Sequence, residues 1–301
     1  MDKLTTNEIP KSVIVAGNGK SLAQIDYSLL PEKYDVFRCN QFYFEDSYYL
    51  GKRIKSVFFN VSVIVEQYYT LHHLIKNKEY TCDNIVLSSF STLPNESENT
   101  KNVKNIFPDV INGYEHYISK LKDFEQYLFF KEMFEDKRVT SGVYMVAVAV
   151  AQGYKDIYLT GIDFYLESKT TYVFDHKKKN LLKLLPSFGS NISHSNLHNK
   201  NTELEALFFL KDNYNVNIYC ISPDSPLFEY FPAPTIEKSN GFNLEKKSNY
   251  IDDIMLPPKS VYKKLNIVGY RKRQLYSNLI FRLVRDLLKL PSALKHYLKE
   301  K

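Results

Sequence analysis

The stretch Gly17-Asn18-Gly19-Lys20-Ser21 closes an apolar run, Val13 to Ala16, in the manner of a nucleotide-binding loop. Two familiar versions fail on spacing. A phosphate-cradling G-x-x-x-x-G-K-[ST] loop needs a glycine five residues before Gly19, where Ile14 stands. The dinucleotide fingerprint G-x-G-x-x-G fits Gly17 and Gly19 but meets Leu22 at its third glycine. What remains is a strand ending in a tight glycine turn, with backbone N–H groups free to face an anion. An ordinary strand-to-helix turn has the same sequence, so this stretch alone leaves both readings open.

Three further places carry residue types suited to group transfer. His198 stands in a polar loop just ahead of a helix announced by Thr202 and Glu205, a T-x-x-E capping box. The positive end of that helix favours the neutral imidazole, which suits a general base for an alcohol nucleophile. Tyr165 and Tyr172 are phenols that can hydrogen-bond a phosphate and steady charge on a leaving group without a metal. With 24 tyrosines in the chain, any particular two are weak markers. Arg138, Thr140 and Ser141 open an apolar helix, where hydroxyls and N–H groups make a carboxylate or phosphate site. Thr140 or Ser141 reads equally as a simple N-cap. Metal chemistry finds no support: neither D-x-D nor H-E-x-x-H occurs, and adjacent His72 and His73 point about 100° apart on a helix. No G-x-S-x-G elbow opens a hydrolase triad.

The elements that must position these residues are an alternation of short strands and helices. Strands are expected at 12–18, 34–40, 56–60, 84–89, 156–164 and 216–222, each a near-continuous apolar run of the kind covered on both faces. Helices are expected near 65–77, 121–134, 140–152 and 203–213. Such alternation implies an α/β fold, a mostly parallel sheet with helices on both faces and ligands beyond the carboxyl ends of the strands. The residues at those ends are Asn18, Asn40-Gln41, Asn60, Ser88-Ser89, Asp163 and Ser222. A row of amides suits sugar hydroxyls and a pyrimidine ring, because each amide both donates and accepts. Asn and Ser also favour turns after strands, which is the plainer reading of any one of them. Residues 165–200 are polar and without a strong period, as in a lid or binding loop.

Composition bounds the rest. At 44% hydrophobic and 25% charged, the 301 residues make a globular chain able to bury a core. Cys39, Cys82 and Cys220 lie far apart, which argues against a disulfide framework or zinc site and for a reducing compartment. No apolar segment opens the chain as a signal peptide would, and the longest apolar stretch, Val143 to Ala151, is too short to cross a bilayer. From Tyr270 onward, nine Lys or Arg stand against Asp286 and Glu300, so the tail is basic and the body near neutral. In that tail Leu279, Ile280, Leu283, Val284, Leu287 and Leu288 form one helical stripe beside Arg282, Arg285 and Lys289. A basic amphipathic helix reads as membrane-surface binding, with packing on the body or a partner as the rival. No nucleic-acid motif accompanies it, so no nucleic-acid partner is expected.

The blocks "IVAGNGKSL", "DVFRCNQFYFED", "YYLGK", "VFFN", "EQYYT", "VTSGVYM", "GYKDIYLTGIDFY" and "KNLLKL" resemble the bacterial sialyltransferases of glycosyltransferase family 42, which cap lipooligosaccharide with sialic acid. The likeness runs from about 12 to 222 and resumes in "LVRDLLKLPSALKHYLK". It implies a single Rossmann-like nucleotide-binding domain with a parallel sheet, a GT-A-like variant, over 11–260. A small lid would span 165–200, and a basic helical tail 261–301. It implies transfer of sialic acid from CMP-Neu5Ac to a terminal galactose (α2,3), with sialic acid (α2,8) as a second acceptor, inverting and without a metal or other cofactor. By the same resemblance Gly17 and Asn18 would meet the CMP phosphate or sugar, Asn40 and Gln41 the nucleoside and donor, and Asn60 the sialic acid. Thr140 and Ser141 would receive its carboxylate, with Arg138 on the acceptor side, and Asp163 and Phe164 would line the nucleotide pocket. Tyr165 and Tyr172 would hold the departing phosphate, and His198 would be the base.

The resemblance further implies a homotetramer at the inner face of the bacterial inner membrane, acting on a galactose-terminated glycolipid. Two alternatives stay open: a donor bearing another CMP-linked ulosonic acid, and a non-catalytic nucleotide-sugar-binding protein. The chain departs from the family at Lys20, where G-N-G-P-S is usual, and at Ser195, where some members carry a tyrosine facing the acceptor. The spacing from Tyr165 to Tyr172 is also one residue longer than in some relatives.

Overall fold

A computed structural model describes residues 11–61, 64–90, 103–164, 172–174, 198–235, 244–255 and 278–299. Its first strand, β1 (Ser12–Ala16), shows why the apolar run does not alternate with polar residues. Side chains leave a strand on alternate faces. Val13 and Val15 join one hydrophobic cluster while Ile14 and Ala16 join another, so both faces are covered. The same holds across β2 (Asp35–Cys39), buried at every position, and through the apolar halves of β3 (Arg53–Asn60) and β4 (Thr81–Ser88). A two-residue strand β5 (Ile111–Asn112), then β6 (Asp156–Thr160) and β7 (Asn217–Cys220), complete a seven-stranded sheet ordered β5-β4-β3-β2-β1-β6-β7. All pairings are parallel. β5 is missing from the sequence reading because two residues carry no detectable period.

Parallel neighbours require crossovers, and the long ones carry helices. α1 (Ile64–Lys76) joins β3 to β4. Between β5 and β6 run a single turn α2 (Gly113–His116), then α3 (Lys122–Glu135) and α4 (Ser141–Ala151). α5 (Lys200–Tyr214) leads into β7. α4, "SGVYMVAVAVA", is apolar all round and accordingly buried from Gly142 to Ala149, packed on β1, β2, β3 and α5. The chain lays β1 to β5 outward on one side, then returns to add β6 on the other side of β1. That reversal puts a ligand crevice at the carboxyl ends of β1 and β6.

The expected helix start at Thr202 is corrected. α5 begins one residue after Asn199, whose side chain accepts from Thr202 N–H at 2.8 Å, while Thr202 itself is buried inside the first turn. Asn caps as well as Thr does, and the T-x-x-E spacing is coincidental.

The chain divides into two compact units, 1–256 and 257–301. The second is described from Asn278 through helix α6 (Leu279–Lys299), capped by the Asn278 side chain, which accepts from Ile280 and Phe281 N–H. Its leucines are exposed, Leu288 by 77%. No helix among the described residues is long and apolar enough to cross a membrane.

Candidate active site

The glycine turn sits where β1 meets β6. Gly17 N–H donates to Thr160 O at 3.0 Å and Gly19 N–H to Gly161 O at 2.8 Å, so the turn is zipped onto the end of β6. A Cβ on Gly19 would lie 2.4 Å from Asp163 Oδ2. That approach lets Asp163 reach back under the turn, where it accepts from Ser21 N–H (2.9 Å) and Ser21 Oγ–H (2.5 Å). On its outer side the turn pairs with Tyr172 and Val173. Gly19 bridges to Tyr172, and Val173 N–H donates to Asn18 O at 2.9 Å. The Tyr172 ring stacks on Phe174, which meets Phe44 edge-on.

Asn18 points inward. Its Nδ2 donates to Cys39 O at 2.9 Å, while its Oδ1 finds no partner among the described residues, as is also true of the buried Gln41 Nε2 and Ser88 Oγ. Buried polar atoms are normally paired, so three such atoms along the carboxyl edge of the sheet mark a place for a polar ligand. Asn40 takes the left-handed conformation (φ 49°), which Asn tolerates better than most residues. Its Nδ2 donates to Ser141 Oγ, and its Oδ1 accepts from Asn60 N–H, both at 3.3 Å. The corner after Asn40 is fixed from beneath. Arg38 donates to Glu45 at 2.7 Å, Tyr80 donates to the same carboxylate, and Lys246 donates to the carbonyls of Tyr43 and Glu45. Burial pushes the Lys246 ammonium down to about 8.

The third wall is the approach to α4. Thr140 is its N-cap, yet both Thr140 donors go to Glu203 of α5: N–H to Oε1 and Oγ1–H to Oε2, each at 2.8 Å. Ser141 is left as the hydroxyl facing Asn40. His198 Nδ1 lies 2.6 Å from Arg138 O. A carbonyl only accepts, so Nδ1 carries the proton and Nε2 is the basic nitrogen. The Arg138 guanidinium donates to Glu132 and lies over the Phe90 ring. The arrangement offers a proton acceptor, hydroxyl and N–H donors at the start of an 11-residue helix, and a strand edge of amides.

A family model described as alpha-2,3-sialyltransferase (CST-I) matches residues 11–301. The chain belongs to this sialyltransferase family. It is a glycosyltransferase, and its Rossmann-like parallel sheet is the GT-A-like fold of solved relatives. The monofunctional alpha-2,3-sialyltransferase Cst-I from Campylobacter jejuni is 44% identical with a TM-score of 0.77, covering 90% of this chain and 99% of its own. The sialyltransferase CST-II, solved with a trisaccharide acceptor and CMP, is 48% identical with a TM-score of 0.72, covering 85% and 99%. An uncharacterized protein of Haemophilus influenzae is 52% identical over 229 residues, 76% of this chain and 98% of its own.

Within this sialyltransferase, hydrogen bonds or chain adjacency join Tyr172, Gly19, Asn18, Asn40, Gln41, Asn60, Ser141, Thr140, His198 and Arg138 into one continuous wall. Gly17 and Asp163 form its floor, and Phe164 (φ 54°) turns into the hydrophobic core. Tyr165 lies outside the described residues, as does Ser195 and most of 165–200. Among the described residues no group of three or more His, Cys, Asp or Glu side chains is placed to hold a metal ion. Two site residues escape the sequence reading. Ser21 is dismissed with the failed phosphate loop, and Glu203 is passed over for Glu205. Its only signal was a glutamate on the apolar face of a helix.

Proposed function

We propose that this sialyltransferase moves sialic acid from CMP-Neu5Ac to the terminal galactose of a lipooligosaccharide, in α2,3 linkage, with inversion and without a metal. The observation that carries this reading is the 2.6 Å contact between His198 Nδ1 and Arg138 O, which leaves Nε2 as the ring nitrogen able to accept a proton. His198 Nε2 takes the proton of the acceptor hydroxyl as its oxygen bonds to the anomeric carbon. The bond from that carbon to the CMP phosphate breaks on the opposite side, leaving the electron pair on the phosphate. The anomeric carbon is tertiary and carries a carboxylate, so the transition state is oxocarbenium-like and the departing CMP needs charge stabilisation above all. Tyr172, seated on the glycine turn, and Tyr165 supply it through their hydroxyls. Ser141 and the α4 N-terminus receive the carboxylate, while Thr140 is occupied by Glu203. Asn18 Oδ1 and Gln41 Nε2 are satisfied by the nucleotide. The crystal complex of CST-II with CMP and a trisaccharide supports both substrate classes.

The test is CMP release from CMP-Neu5Ac, with and without lactose, in EDTA. Acceptor-dependent release that EDTA leaves unchanged is expected. No release, or release restored only by added Mn²⁺, would sink the metal-free transferase reading.

The tail is assigned to the inner face of the bacterial inner membrane, close to a lipid-linked acceptor. Support comes from α6, whose exposed leucines run beside Arg282, Arg285 and Lys289. Removing residues 271–301 is expected to abolish co-sedimentation with anionic vesicles while activity on lactose survives. Loss of activity on lactose with unfolding would make the tail structural instead. Self-association into a homotetramer is part of the same reading, supported by the exposed Phe130, Met133 and Phe134 on α3.

A further inference from the structure

Glu203 does two things at once. It takes both donors of Thr140 at the head of α4, and its Oε1 lies 4.0 Å from His198 Nδ1 at the head of α5. With the bond from His198 to Arg138 O, four contacts tie the 138–140 segment, Glu203 and the base together. The side chain is 1% exposed, in surroundings where a carboxylate is placed only for a reason. We propose that Glu203 is a positioning residue for the transfer reaction, aligning Ser141 through Thr140 and acting as the buried counter-charge to the His198 imidazolium formed when the acceptor hydroxyl is deprotonated. This rests on the transferase reading above, in which the positive charge appears on His198 as the hydroxyl oxygen bonds to the anomeric carbon.

Burial pushes the Glu203 carboxyl up to about 8, against the pull of the two bonds from Thr140. Among the described residues the groups around it are few. His198 faces it from the start of α5 and Thr140 from the head of α4. From α3 comes Tyr127, whose hydroxyl donates to Thr202 O at 3.5 Å and whose own ionisation Glu203 opposes. Lys131 is held by Glu135 and by Glu205 at 2.6 Å, so it serves α3 and the outer face of α5. Titration of Glu203 therefore changes the charge 4.0 Å from His198 Nδ1. As pH rises through that titration Glu203 ionises, and a carboxylate at this distance raises the proton affinity of an imidazole by roughly 1–3 pH units. A stronger base follows, so kcat climbs on the alkaline side.

Glu203→Gln separates charge from shape, because its carbonyl still accepts from Thr140 N–H and its amide can donate to Thr140 Oγ1. The expected result is a loss in kcat on the order of tenfold at pH 8.5, with KM for CMP-Neu5Ac within about twofold. The rise of kcat through the alkaline limb should flatten. Independently of turnover, the imidazole resonances of His198 should titrate at lower pH in Glu203→Gln than in wild type. An unchanged kcat profile together with an unchanged His198 titration would overturn the proposal and leave Glu203 a packing residue. A shifted titration in a protein that never releases CMP would keep the coupling and overturn the transferase reading instead.

Discussion

Replacing His198 by alanine is expected to lower transfer by roughly a hundredfold or more while CMP still binds, the scale on which a lost general base is felt. The separation of the two effects follows from where the residue stands. The amide edge of Asn18, Asn40 and Gln41 is held by β1, β2, Ser141 and the Arg38–Glu45 network. His198 is tied instead to the 138–140 segment through Arg138 O at 2.6 Å. Removing the ring leaves one carbonyl to find another donor, a cost of about 1 kcal/mol for a hydrogen bond that water can replace at a partly exposed position. Folding and nucleotide affinity should therefore survive. Initial rates of CMP release with lactose, set beside CMP calorimetry on the same variant, measure the split. Transfer within a few-fold of wild type would remove His198 from the mechanism, and lost CMP binding would make its role structural.

Gly17→Ala is expected to do the reverse, destroying the nucleotide edge through the backbone. A Cβ at Gly17 would stand 2.1 Å from Gly161 O, a backbone atom with nowhere to go because Gly161 is itself in the left-handed region (φ 63°). The ends of β1 and β6 must separate. That breaks the bonds from Gly17 N–H to Thr160 O and from Gly19 N–H to Gly161 O, and it displaces Asn18 between them. Overpacking of this kind with two strained hydrogen bonds costs about 2–4 kcal/mol. For a domain of this size that is a fall in Tm of roughly 5–15 °C. Since Asn18 moves with the turn, CMP affinity should fall by more than tenfold even at temperatures where the fold persists. Thermal unfolding and CMP titration at low temperature check both halves. Wild-type affinity in Gly17→Ala would show that the seam is not what places Asn18.

The glycine turn illustrates how much a single stretch can mislead. Lys20-Ser21 copies the end of a phosphate loop, yet Ser21 faces inward to Asp163 and Gly161 N–H rather than outward to a ligand. The polar row at the strand ends was legible because turn residues after buried strands can be located from the apolar runs alone. Their separate fates were not. Ser89 is spent on Asn112 and Ser222 on Thr160, whereas Asn18, Gln41 and Ser88 each keep a buried atom without a partner among the described residues.

What the amino-acid sequence determined by itself was local. The near-continuous apolar strands, the fully apolar α4, the basic stripe of α6 and the order of the longer elements all follow from periodicities of 2 and 3.6 residues, which need no knowledge of the fold. Tertiary structure alone decided which side of β1 receives β6, and with it that Gly161 and Asp163 meet a turn 140 and 142 residues earlier. It also decided that Thr140 spends both donors on Glu203 and that His198 answers to the Arg138 carbonyl. Those pairs lie about 60 residues apart, and no periodic pattern reaches across a crossover. Only the packing of α4 and α5 on one face of the sheet brings their first turns together.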